Sequence, residues 1–279
     1  MKSKILIINN EILKLIALIT MTLSHIGLFI SSSNSNLSNI FLIIGSISFP
    51  LFLFLNLESN RFTSSNIKYI LRLLIMSIVI YLGILIISLI SNNEFYKYGN
   101  IFIDLLLYSL IYFLIIKYKS NLKYIYLLII FIYFIITHLI KIDIISINNS
   151  LYKIIGGLFP QYNLFGLFLF LITLLSFKVY TSKVNKINKE FINSNDYKFS
   201  LNIIYCIILA IFSLIAYAFT YIDKNYLGVD LVYSTYIVLG ALFIIFYNHK
   251  KVTNSKIIKY SFYLYYPLHL VILYLIFML

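Results

Sequence analysis

His25 lies within "MTLSHIGLFI" and His269 within "YYPLH", each in the middle of an apolar run. An ionisable side chain at such a depth costs about 2.5–3.5 kcal/mol or more, so it usually faces a partner or a cavity rather than lipid. Imidazole titrates near neutral pH, which suits it to take up and return a proton. Two readings therefore stand for His25: a neutral ring bonded to a neighbouring helix, or a general base. His269 follows Pro267, whose ring frees a backbone carbonyl one turn earlier and bends a helix, turning the imidazole inward. Asp104 is the third anomaly, because an unpaired carboxylate inside an apolar segment is penalised. It reads either as an orienting partner for an imidazole on another helix or as an interfacial residue reaching to water. His138 falls near the outer end of a segment and His249 in a loop on the inner side, and both read as solvated.

The chain's two arginines are Arg61 and Arg72; every other positive charge is lysine. A planar guanidinium grips phosphate oxygens with two parallel bonds, which an ammonium cannot do. Both arginines sit at one end of consecutive apolar segments, close to Glu58. One reading is ordinary anchoring by positive charge on the cytoplasmic side. The other is that Arg61, Arg72 and Glu58 seat an anionic ligand, such as the nucleotide end of coenzyme A.

The elements that must carry these residues follow from composition. Of 279 residues, 62% are hydrophobic and only 11% charged. A soluble domain carries about 25% charged residues, so a water-soluble globule is excluded. A bilayer span needs roughly 20 mostly apolar residues. Nine such segments can be marked: Ile12–Ile30, Asn39–Leu57, Ile67–Ile90, Ile101–Lys117, Leu122–Ile140, Leu164–Phe177, Leu201–Ile222, Leu227–Tyr247 and Ile257–Leu279. The sixth is short, and "GGLFPQYN" before it reads as a possible re-entrant extension. The single Cys206 excludes an internal disulfide and a multi-cysteine metal site, and nothing points to a metal. No small-residue cleavage site follows the basic start, so the first segment is expected to stay as a span.

The net charge of +13 comes from lysines in short loops between apolar runs, which argues against a nucleic-acid partner. Only Lys97, Lys141, Lys153 and Lys224 fall in one set of alternate loops; the other 18 of the 22 basic residues fall in the opposite set. That bias predicts an all-α helical bundle of nine spans, with the N-terminus in the cytoplasm and the C-terminus outside. The whole chain, residues 1–279, reads as a single multi-pass domain of the plasma membrane. At about 1.5 Å per residue, His25 then lies some five residues from the outer end of its span and His269 near mid-membrane.

Several blocks, in order along the whole chain, resemble one family. They are "LKLIALITMTLSHIG", "GSISFPLFLFLNLE" followed by "RFTSSNIKYILRLL", "GNIF", "YNLFGLFLFLI" and "KYSFYLYYPLHLVILYL". Together they are similar to the TraX family. The resemblance implies a polytopic membrane acyltransferase whose best-known activity is acetylation of the N-terminal amine of pilin subunits in conjugation. It further implies acetyl-CoA as donor and an exported protein or glycan acceptor at the outer face. Matched position by position, His25, Phe49, Pro50, Glu58, Thr63, Arg72, Asn100, Pro267 and His269 fit the family pattern. In the mechanism this implies, His25 is the base, His269 a second acid/base or acyl-relay group, and Asp104 an orienting carboxylate.

Three positions depart from that pattern. Ser24 stands where the family has Asp, Ser46 where it has Arg, and Gln161-Tyr162-Asn163 where it has Asp-Tyr-Gly. Ser24 and Ser46 lie at similar depth, so the family's Asp and Arg would pair. Replacing both halves of a buried ion pair can be neutral where replacing one is not. The departures keep two other classes open: a transporter or channel in which His25, His269 and Asp104 line a path, and a catalytically silent homologue that acts in assembly.

Overall fold

The computed structural model describes residues 6–30, 34–90, 97–188, 190–222, 231–252 and 255–278. Lys2, Lys4, Lys189, Lys224, the start of the eighth segment at Leu227 and the terminal Leu279 lie outside the described residues. Every regular element among the described residues is helical. In chain order they are α1 (Asn10–Ile30), α2 (Ser35–Gly45), α3 (Ser48–Phe62), α4 (Asn66–Ile90), α5 (Ile101–Tyr112), α6 (Lys123–Lys141) and α7 (Asn149–Ile155). There follow α8 (Asn163–Ile187), α9 (Asn195–Phe219), α10 (Leu231–Ser234), α11 (Ala241–Ile244) and α12 (Lys256–Met278). Among the described residues, seven stretches are long and apolar enough to cross a membrane: α1, α2 with α3, α4, α6, α8, α9 and residues 260–277 of α12. The protein is a multi-pass membrane protein with an all-helical fold.

Seven of the nine predicted segments coincide with these helices. The fourth is α5 continued by a π-helical turn, Phe113–Lys117, and the eighth is broken into α10, a 3-10 stretch Thr235–Gly240 and α11; both are shorter than the rest. The sixth differs from expectation in the other direction. It is a helix of 25 residues, Asn163–Ile187, lengthened at its C-terminal end rather than by "GGLFPQYN". Hydropathy ends where Lys178, Lys183 and Lys186 begin, but lysine is a good helix former and the helix runs on. The "GGLFPQYN" stretch is a 3-10 turn, Gly156–Leu158, followed by a bend.

Side-chain caps start several helices. Asn34 accepts from Leu37 N before α2, Asn100 from Phe102 N before α5, and Ser194 from Tyr197 N before α9. The break between α2 and α3 at Ser46–Ile47 has a cause in the sequence. Pro50 lacks an N–H, and its ring would strike the carbonyl of the residue four back, Ser46. Along α4 the packed positions are Tyr69, Leu73, Ser77, Ile80, Ile84 and Ser88, while Ile75, Ile78, Leu82, Ile86 and Leu89 are exposed. An outward apolar face with small polar residues packed inward is the pattern of a helix that meets lipid on one side.

The chain divides into two compact units. The first contains Met1–Leu55, Leu171–Tyr221 and Leu231–Leu279; the second contains Asn56–Phe170 and Ile222–Asp230. In the first unit α1 packs on α2 and on α12, and α9 packs on the 3-10 stretch Thr235–Gly240. A Cβ added at Gly45 of α2 would lie 2.3 Å from Ser24 Cβ, and one at Gly27 of α1 would lie 3.1 Å from the Ser38 carbonyl oxygen. Small residues therefore let α1 and α2 approach closely, and the Ser38 hydroxyl closes the seam by donating to Gly27 O at 2.7 Å. In the second unit, α4 packs on α5 and on the Gly156–Leu158 turn.

Candidate functional site

His25 reaches the seam between α1 and α12 from the fifth turn of α1. Its Nδ1 lies 3.1 Å from His269 Nε2, and the two rings are 5.0 Å apart at 49°. Tyr266 packs edge-on against both imidazoles, at 6.2 Å from His25 and 5.2 Å from His269. Tyr265 stacks on His269 at 5.3 Å and 10°. His269 is only 4% exposed, so its polar atoms must be met from within the protein.

The protons of this pair can be assigned from what each partner is able to do. His269 Nδ1 lies 3.1 Å from the Tyr265 carbonyl oxygen, which can only accept. His269 Nδ1 therefore carries a hydrogen, and in the neutral ring Nε2 is left as an acceptor. His25 Nδ1 must then carry the hydrogen between the rings, a hydrogen the Met21 carbonyl oxygen also accepts. The remaining nitrogen, His25 Nε2, keeps its lone pair. That is the arrangement of a supported base: one ring nitrogen is held by a partner, and the other is available to take a proton.

Asp104 does something different. It belongs to the second unit and is fully buried, 0% exposed, rather than reaching to water. Its Oδ2 accepts from Gln161 N at 2.6 Å and Tyr162 N at 3.3 Å; its Oδ1 accepts from Tyr108 Oη at 3.2 Å. Lys141 grips the same loop from the other side, donating to Pro160 O at 2.7 Å and Gln161 O at 3.0 Å. At Gly99, φ +82°, an added Cβ would lie 2.8 Å from Phe159 O, so no side chain fits there. Asp104 is thus committed to holding the entrance to α8. Asn163, at φ +44°, opens that helix. Its left-handed backbone explains how Asn stands where the family pattern has Gly, since both tolerate this region.

The three remaining predicted residues also lie in the second unit. Arg61 Nη1 pairs with Glu58 Oε1 at 2.9 Å, one turn away on α3, and Glu58 is buried. Arg72 forms no ion pair among the described residues; its Nε is buried without a partner and its guanidinium lies 5.7 Å from the Tyr69 ring. His138 and His249 are not solvated as expected. His138 is buried with Nδ1 unpartnered, and His249 Nε2 lies 2.8 Å from Asn202 Oδ1. No cluster of three or more His, Cys, Asp or Glu suited to a metal occurs among the described residues.

The profile of the TraX protein family matches residues 9–151. This chain belongs to the TraX family. Membership fits a membrane protein of conjugation- or pilin-related processes. The matched stretch carries His25, Glu58, Arg61, Arg72 and Asp104 but ends before His269, so the pairing of the two histidines is a finding of the structure. No curated protein and no solved structure matches the TraX chain described here. Tyr265 and Thr22 escaped the sequence reading. The signal was there in part: Tyr265 stands four residues before His269, on the same helix face.

Proposed function

We propose that this TraX-family protein is a membrane-embedded acyltransferase that moves an acetyl group from acetyl-CoA to an exported acceptor. The acceptor is a pilin N-terminal amine or an envelope hydroxyl. The observation that carries the reading is the pair His25 Nδ1–His269 Nε2, 3.1 Å apart between α1 and α12, with the hydrogen assigned to His25 Nδ1. It leaves His25 Nε2 as an unspent base. In the reaction, His25 Nε2 takes the proton of the neutral amine or hydroxyl as that group attacks the thioester carbonyl. The new C–N or C–O bond forms, the C–S bond breaks, and the proton returns to the departing thiolate. The products are the acetylated acceptor and free coenzyme A. As His25 becomes charged, its bond to His269 becomes charge-assisted and stronger, which lowers the barrier.

For the donor we assign Arg72, whose free guanidinium nitrogen suits a phosphate oxygen, with Arg61 held in place by Glu58. Asp104 serves the reaction only indirectly in this reading, by fixing the loop before α8. The test is release of coenzyme A thiol from acetyl-CoA by the full chain in proteoliposomes, with an amine-bearing peptide or a glycan as acceptor. Replacement of His25 by Ala removes this activity; turnover at the unmodified rate in that variant would dismiss His25 as the base. Arg72→Lys weakens acetyl-CoA binding, and unchanged affinity would remove Arg72 from the donor site.

A further inference from the structure

Tyr265 meets His269 through its carbonyl and its ring and meets Thr22 through its hydroxyl, and the path of one proton says what it does there. Thr22 Oγ1 lies 2.9 Å from the Leu18 carbonyl oxygen and 2.8 Å from Tyr265 Oη. The threonine has a single hydroxyl hydrogen, and the carbonyl can only accept, so that hydrogen goes to Leu18 O. Tyr265 Oη must then donate to Thr22 Oγ1. Thr22 lies three residues before His25 on α1, and Tyr265 lies four before His269 on α12, so the two hydrogen bonds form successive rungs between the helices. The same tyrosine supplies the carbonyl that fixes the tautomer of His269 and the ring that stacks on it at 5.3 Å.

We infer that Tyr265 is a positioning residue for the histidine pair. Its carbonyl selects the tautomer of His269, its ring holds the plane of that imidazole, and its hydroxyl ties α12 to α1 one turn from His25. The inference rests on the reading of His25 Nε2 as the base. It has a negative corollary: the Tyr265 hydroxyl hydrogen is committed to Thr22, so this tyrosine does not stabilise an oxyanion.

The test uses diethyl pyrocarbonate, which carbethoxylates unprotonated imidazole nitrogen, on the full chain in detergent micelles. The rate at His25 is read by peptide mass mapping, with His249 as the reference within each sample. Loss of one hydrogen bond of this kind changes an equilibrium about three- to tenfold. Tyr265→Phe, which keeps the ring and the carbonyl, is expected to slow modification of His25 by about that factor, and Thr22→Val by the same amount. The double variant is expected to be no slower than either single one, and Thr22→Ser, which restores the hydroxyl, to react at the unmodified rate. A rate at His25 that is unchanged or faster in Tyr265→Phe, or effects that multiply in the double variant, would overturn the inference. The reagent needs neither donor nor acceptor. A protein that passes this test but transfers no acetyl group refutes the proposed reaction and leaves the role of Tyr265 standing.

Discussion

The two units each bury ionisable side chains among hydrogen-bonding partners, yet they use them in opposite ways. In the second unit, Asp104 accepts from Gln161 N, Tyr162 N and Tyr108 Oη, while Lys141 donates to the carbonyls of Pro160 and Gln161. All of those bonds but the one from Tyr108 Oη are spent on backbone, and groups spent on backbone hold a shape. In the first unit, His25 and His269 are bonded in one direction, ending at a nitrogen with a lone pair to give. Burial and titratability are common to both clusters. Hydrogen-bond accounting separates them: the carboxylate holds a loop, and the imidazoles bond to one another.

Substitutions should divide along the same line, and the largest effect is expected at His25. Removing a general base typically lowers turnover about 10²- to 10⁴-fold. His25→Ala is expected to show that loss with little change in the thermal midpoint of unfolding. Asp104→Ala should do the reverse. It strands two loop amides and the Tyr108 hydroxyl, at a cost of about 3 kcal/mol or more. Thermal unfolding of the full chain in detergent, followed by tyrosine fluorescence, reads that cost. A stable Asp104→Ala protein with abolished turnover would erase the distinction between the clusters and return the carboxylate to the chemistry.

A smaller effect is expected at the seam that supports the histidine helix. A Cβ at Gly45 would lie 2.3 Å from Ser24 Cβ and 2.7 Å from Ser24 Cα. Backbone must therefore move, and overpacking of this sort costs about 1–3 kcal/mol. Gly45→Val is expected to lower the midpoint of unfolding and the rate of His25 modification together. If only the midpoint falls, the seam supports the fold without aligning the base.

That the chain is an all-helical, multi-pass membrane protein was legible because burial in lipid leaves a strong compositional mark. The length of α8 was not, because lysine ends a hydropathy run without ending a helix. The break at Ser46–Ile47 could have been read from Pro50 four residues on. Asp104 was misjudged for a different reason. Its partners are backbone amides of Gln161 and Tyr162, and backbone donors carry no sequence signature. His138 and His249 were misjudged in the same direction: nearness to a helix end says little about which neighbours cover a ring. The pairing of His25 with His269 joins residues 244 positions apart, and only the fold supplies it.

The subtlest expected effect concerns Ser24 and Ser46, where the family pattern has Asp and Arg. Ser24 lies against Gly45, the immediate neighbour of Ser46, so the two positions meet at the crossing of α1 and α2. Ser46 Oγ now donates to Ile43 O at 2.7 Å, a bond internal to α2 that needs nothing from α1. Ser24→Asp alone would bury a carboxylate without a cation, and Ser46→Arg alone a guanidinium without an anion. Each is expected to lower stability. Installed together they can form the pair, so the double variant should be more stable than the sum of the single losses predicts, by about 0.5–3 kcal/mol. The crossing stands one residue from His25, which makes the cycle informative about the site as well. If the double variant recovers both stability and the carbethoxylation rate at His25, the two serines replaced an ion pair as a unit and left the base undisturbed. Strictly additive losses would mean that the positions do not communicate and that the α1–α2 crossing was rebuilt around Gly45 instead.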